Sequence, residues 1–301
     1  MYENEELFVN EQCSLVSFPK MNLTNNYVFE EIFGEPDILH PVLEELTGIS
    51  ISKLVKTEKE YHIKGGKATH SIVCDVLAID TKGRIYDLEM QNYKEKYQFH
   101  RIRFYVGQLD NKYFVKERSY EEAAKEGYAG MSDVYCIWLC NYSTAEYPKG
   151  YTECILYDTS NQMPQDNGVH QIFFDIRKYN GDNPRLKELF RYMQEPTDLV
   201  AEECQWEVIK QIHKKYKLIT ETKEKESEYM DYNRAQMIGY RMGEEKGEAN
   251  GVIKGKLEAI TNLMTNLHMS LEKALDVLGI PEPEWDIYKE KISSKDKQMI
   301  A

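Results

Sequence analysis

The chain has no run approaching the roughly 20 consecutive apolar residues that cross a bilayer, so no segment reads as a membrane-spanning helix. It has no CxxC pair. Its six cysteines are scattered, and the nearest two, Cys136 and Cys140, fall within the apolar run VYCIWLC. Such spacing suits free buried thiols in a reducing compartment and argues against a zinc ribbon or a disulfide framework. The seven histidines form no HExxH or HxH cluster, which argues against a zinc hydrolase. The opening residues MYENEELFVN are acidic and lack a signal-peptide core, so a cytoplasmic location is expected. The sequons at Asn22 and Asn141 carry little meaning without a secretory route. Positive charge is also scarce. A net charge of −13 weakens any broad affinity for nucleic acid, so phosphate contacts need a local basic patch.

What is present alternates between helix and strand. Residues 25–47 read as two helices, NNYVFEEIFG and PDILHPVLEELTG, the second ending at Gly48. Strand-like runs follow in ISISKLVKTEKEY, HSIVCDVLAID and RIYDLEMQ. The spacing then predicts a long helix from about Glu95 to Arg118, with Phe99, Ile102, Val106, Leu109 and Tyr113 as its apolar stripe. Three more apolar strands are expected in DVYCIWLC, ECILYD and HQIFFDI. The expectation is an α/β protein with a mixed sheet flanked by helices and a helical C-terminal extension. The domain boundary is placed at 180, giving 20–180 and 181–301, with a second change of character near 220.

The tail carries one repeat. Gly239, Gly243, Gly247, Gly251 and Gly255 recur every four residues in a charged background. Each costs a helix about 1 kcal/mol relative to alanine. One reading is a flexible solvated tract. The other is a helix whose bare stripe admits a second copy at close range, making a homo-oligomer, most simply a dimer. The last segment, MSLEKALDVLGIPEPEW, reads as a helical hairpin turning at Gly279. A DNA-reading role is disfavoured there, because its second helix would begin Pro281-Glu282-Pro283-Glu284 and repel phosphate.

The chemistry concentrates in CDVLAIDTKGRIYDLEMQ. A three-residue loop, Thr81-Lys82-Gly83, suits a turn closed by a glycine bulge and pairs Asp80 with Arg84. Counting back, Ala78 faces Tyr86, Val76 faces Leu88 and Cys74 faces Met90, an apolar face for the core. The other face carries Leu77 opposite Asp87, Asp75 opposite Glu89 and Val73 opposite Gln91. Two carboxylates directly across a ladder repel one another. A shared proton offsets that, and a divalent cation does so better, because carboxylate oxygens are magnesium ligands. A metal there would polarise a phosphoryl oxygen and activate water, which Gln91 could orient. The bland alternative is a solvated polar face.

These residues resemble the Rpn family of recombination-promoting nucleases and transposases, a branch of the PD-(D/E)xK nucleases. The resemblance runs from LTNNYVFEEIFG through DVLAIDTKGRIYDLEMQ, HRIRFY and DVYCIWLC to the glycine repeat and LEKALDVLGI. It implies a restriction-endonuclease-like fold and DNA cleavage dependent on Mg²⁺ (or Mn²⁺), with DNA as partner. It makes Asp75 and Glu89 the metal ligands and puts Gln91 where related nucleases carry lysine. One position departs. The family has aspartate in the first helix where this chain has Asn26, a third candidate ligand that offers a carbonyl oxygen without charge. Glu30 or Glu31 could compensate, or be plain solvated charges. From Lys94 to Arg118, seven Lys or Arg residues stand against Glu95, Asp110 and Glu117. Arg101, Tyr105, Gln108 and Lys112 share a helix face away from the stripe, so Arg101, Arg103 and Lys112 are the candidate DNA contacts. A solvated helix face is the alternative.

Overall fold

The computed structural model describes residues 21–64, 71–116, 127–142 and 149–299. Two helices, α1 (Asn26–Phe33) and α2 (Pro36–Thr47), precede three strands, β1 (Leu54–Ile63), β2 (Ile72–Asp80) and β3 (Ile85–Gln91). Helix α3 (Gln98–Lys116) leads to β4 (Val134–Cys140). Then come β5 (Tyr151–Cys154), β6 (Leu156–Asp158), β7 (Met163–Gln165) and β8 (Val169–Asp175). Helices α4 (Pro184–Gln194), α5 (Asp198–Glu203) and α6 (Glu207–Glu221) follow. The chain closes with the long α7 (Lys223–Leu267), α8 (Leu271–Val277) and α9 (Trp285–Met299).

The expected mixed sheet is present, six strands in the order β1-β2-β3-β4-β8-β5. β1, β2 and β3 form an antiparallel meander, β3–β4 and β4–β8 are parallel, and β5 returns antiparallel to β8. Parallel neighbours require a crossover, and α3 supplies the one between β3 and β4. One sheet face is covered by Ile102, Tyr105, Val106, Leu109 and Tyr113 of α3, packed on Ile72, Leu77, Ile79 and Trp138. Tyr105 is therefore a core residue, not part of a solvated face. Phe99, expected in the stripe, lies in the first turn of α3 and is half exposed, with its ring edge-on to Phe173 of β8. Alternate strand residues, including Val76, Ala78, Leu88 and Ile137, are also buried. Helix α1 contacts β1 and β2, and both α1 and α2 pack on α6.

The turn is held by one acid. Asp80 Oδ1 accepts from the backbone N–H groups of Lys82 and Arg84, both at 2.9 Å. Its Oδ2 accepts from Arg84 Nε at 2.6 Å and from the Tyr86 hydroxyl at 3.1 Å. Gly83 takes φ +79°, a conformation that side chains rarely adopt. The strand pairing that follows is the expected one, Ala78 with Tyr86, Leu77 with Asp87 and Val76 with Leu88.

Two expectations change. ECILYD is not one strand: β5 pairs with β8, whereas β6 pairs with β7 in a separate two-stranded ladder. The chain also divides compactly at Tyr229/Met230 rather than at 180. Leu189, Phe190, Tyr192, Ile209 and Ile212 of α4 and α6 are buried in the first unit, so their charged surface misleads about where that unit ends. In the second unit, Ile260, Ala274, Leu275, Ile280 and Tyr288 form a small core of their own. Gly279, at φ +64°, turns the chain between α8 and α9. The glycine repeat lies within helix α7, where an added Cβ at any of the five would meet open space among the described residues. Among those residues no helix is long and apolar enough to cross a membrane.

Candidate metal centre

The β2–β3 ladder stops at Val76 and Leu88, just short of the two acids. Beyond it, side chains replace the backbone pairing. The Asp75 N–H donates to Glu89 Oε1 at 3.2 Å, and the Met90 N–H donates to Asp75 Oδ2 at 2.8 Å. Asp75 and Glu89 are thus brought together where the strands part. Side-chain alternation also breaks here. Cys74 and Leu77, three residues apart, both belong to the cluster under α3. Cys74 therefore lies beside Asp87 and Glu89 instead of sharing the Val76 face, as strict alternation would require.

Burial sets the electrostatics. Asp87 and Glu89 are fully buried, so the polar face is not a solvated one. Burial, followed by the charges of Asp87 and Asp75, pushes the Glu89 carboxyl well above the carboxylate range, against the pull of Arg101. Burial lifts Asp75 to about 6 despite the Met90 N–H. Asp87 rises to about 7, again chiefly through burial, with the neighbouring Cys74 thiol lowering it. Beyond Cys74 and Glu89, neither Asp87 oxygen has a hydrogen-bond partner. Crowded, desolvated carboxylates of this kind are poised for a counter-charge, and the oxygens of Asp75 and Glu89 suit a hard divalent cation.

A third acid arrives from α1. Glu30 is buried, and its carboxyl is pushed up to about 8 by burial first, then by the charges of Asp75 and Glu60. Asn26, one helical turn earlier and on the same side of α1, is exposed, and the N-cap is its neighbour Asn25, bonded to the Val28 N–H at 3.4 Å. Glu31 faces elsewhere, bridging Lys59 and Lys225. The polar residues ahead of α1 brace it to the sheet. Asn22 Oδ1 accepts from the Thr24 hydroxyl at 2.7 Å, and the Thr24 carbonyl accepts from Asn92 Nδ2 at 2.8 Å. Asn141 Nδ2 donates to Asn92 Oδ1 at 3.1 Å. This brace ties the start of α1 to the residues just beyond β3 and β4.

A family model described as PD-(D/E)XK nuclease family transposase matches residues 23–238. The chain belongs to that family. No curated protein and no solved structure matches it. The mixed sheet and flanking helices are consistent with the restriction-endonuclease-like fold of PD-(D/E)XK nucleases, and the family match covers α1, the β2–β3 hairpin and α3.

Within this PD-(D/E)XK chain the candidate cations separate. Arg101 turns inward: its guanidinium donates to Glu89 Oε2 at 3.0 Å and to the Tyr105 hydroxyl at 3.0 Å, and stacks 4.9 Å from the Trp138 ring. Arg103, two residues on, points to the other side of α3 and is exposed. Lys112 lies on the Arg101 side, bonded to the Tyr61 hydroxyl, with Lys56 Nζ 4.8 Å from the same ring. Arg118 lies outside the described residues. Gln91 ends β3, half-buried, at the strand position that alternation aligns with Asp87 and Glu89.

Proposed function

We propose that this chain is a DNA endonuclease dependent on Mg²⁺ (or Mn²⁺), acting in recombination or transposition. The observation that supports the reading is the meeting of Asp75 and Glu89 where β2 and β3 part, each carboxylate accepting from the opposite strand's backbone, with the buried Glu30 of α1 raised by the charge of Asp75. Asp75 and Glu89 hold the cation, with Glu30 contributing charge and Asn26 at most a neutral oxygen. When bound, a divalent cation supplies Lewis acidity toward a phosphoryl oxygen and makes water a better nucleophile at neutral pH. Gln91 can hold that water by its amide, though it brings no charge. Arg101 keeps its positive charge beside Glu89 and within reach of a scissile phosphate. The charge of Lys112 or Arg103 meets the backbone further along the duplex.

A second reading, a catalytically weak DNA-binding protein of the same fold, is favoured by the neutral Asn26. Plasmid nicking with Mg²⁺, by wild type and Glu89→Ala, separates the two. Nicking by wild type that Glu89→Ala abolishes supports the nuclease. Absence of nicking from both chains, with DNA binding retained, supports the inert reading.

A further inference from the structure

Cys74, Asp87 and Glu89 each place a donor atom within 4.8 Å of the other two, and all three side chains are fully buried. The grouping exists because β2 breaks alternation between Cys74 and Leu77, turning the thiol toward the acids of β3. A second observation points to a ligand. Both oxygens of Asp87 lack a hydrogen-bond partner outside Cys74 and Glu89, although the group is completely desolvated. Buried polar atoms are nearly always satisfied, so a buried carboxyl with no partner beyond its own donor cluster points to a ligand held by that cluster.

The donor set indicates what. One sulfur and two carboxylates combine a soft ligand with hard ones. Magnesium takes oxygen ligands, whereas zinc and cobalt accept thiolate and carboxylate together. We propose that Cys74, Asp87 and Glu89 form an inner position for a thiophilic divalent ion, behind the Asp75–Glu89 position and sharing Glu89 with it. Binding releases the thiol proton and the protons held by the Glu89 and Asp87 carboxyls to solvent, so that the sulfur joins as thiolate and both acids as carboxylates. Three anionic ligands around a doubly charged ion leave one negative charge, which Arg101, 3.0 Å from Glu89, offsets. The inference touches the nuclease reading through Glu89 but needs neither DNA nor cleavage.

The test is a cobalt(II) titration of the full chain without DNA, followed by the thiolate-to-cobalt charge-transfer absorption in the near ultraviolet. The wild type should show a band that saturates at one ion per chain. Cys74→Ser and Cys74→Ala should abolish it, although the other five cysteines remain. Asp87→Asn should move saturation to at least about tenfold higher cobalt, since even outer-shell partners carry that much. No band in the wild type, or a band that survives both Cys74 substitutions, overturns the inner position. Circular dichroism checks that each variant folds, and the wild-type titration decides alone where one does not. Magnesium-dependent cleavage without a cobalt band overturns only the inner position, whereas a band without cleavage overturns only the nuclease reading.

Discussion

Replacing Glu30 by glutamine should make the metal-free protein more stable at alkaline pH while weakening its hold on magnesium. Glu30 is 6% exposed, and its carboxyl is displaced from 4.5 to about 8. Its folded pKa is raised, so the stability it permits is full below about 4.5 and is lost as pH climbs towards 8. At about 1.4 kcal/mol per pKa unit, that displacement costs the native state a ceiling of roughly 4 kcal/mol by pH 8. Glutamine keeps the shape and removes the charge, but its amide is itself buried. A gain of about 1–3 kcal/mol at pH 8 is therefore expected, shrinking to nothing near pH 4.5. Urea denaturation of wild type and Glu30→Gln in chelator, at pH 5 and pH 8, measures it. Saturating magnesium should stabilise wild type more than the variant, because the ion supplies the counter-charge that the substitution makes unnecessary. Equal destabilisation of Glu30→Gln at both pH values would refute the reasoning. It would mean that Glu30 serves as a hydrogen-bonded structural group and not as an uncompensated charge facing Asp75.

Two further outcomes are expected. Asn26→Asp should raise nicking at low Mg²⁺ more than at saturating Mg²⁺, because an added carboxylate near Glu30 repairs occupancy alone; superimposable titration curves would remove Asn26 from the metal centre. Arg103→Ala and Lys112→Ala should each weaken DNA binding and reduce the slope of log K against log salt by about 1 per lost phosphate contact. Unchanged slopes would make those cations ordinary surface charge.

The pairing of the β2–β3 hairpin was legible in the sequence because its determinants are local. Gly83 supplies the turn, and the alternation of Val76, Ala78, Tyr86 and Leu88 sets which residues meet. The displaced thiol was not legible. Strand distortion between Cys74 and Leu77 involves neither glycine nor proline, so residue types leave no trace of it. In the sequence Glu30 reads either as a compensating ligand or as a solvated charge, and one signal points inward. Val28, Phe29, Ile32 and Phe33 cover one face of α1 and Tyr27 lies on the far side of Glu30, so apolar residues flank the acid from both directions. Arg101 was read as a free cation because helix periodicity reports which side of α3 meets the sheet, but not what the flank of that helix reaches. The compact division at Tyr229/Met230 was not legible, for the opposite reason. Charged composition after Asn183 describes the outer surface of α4 to α6, while their apolar residues complete the first unit.

The turn at Thr81-Lys82-Gly83 has a consequence for how such chains can diverge. Side chains along a strand alternate with a period of two, so one residue gained or lost between Asp80 and Arg84 would invert every side chain of β3 relative to β2. Asp87 and Glu89 would leave their face, and Tyr86 and Leu88 would take their place. Thr81 and Lys82 are exposed, so their identities are free to drift. The length of the turn is not. Lineages that keep the acids must keep this spacing, whereas insertions elsewhere on the surface carry no such penalty.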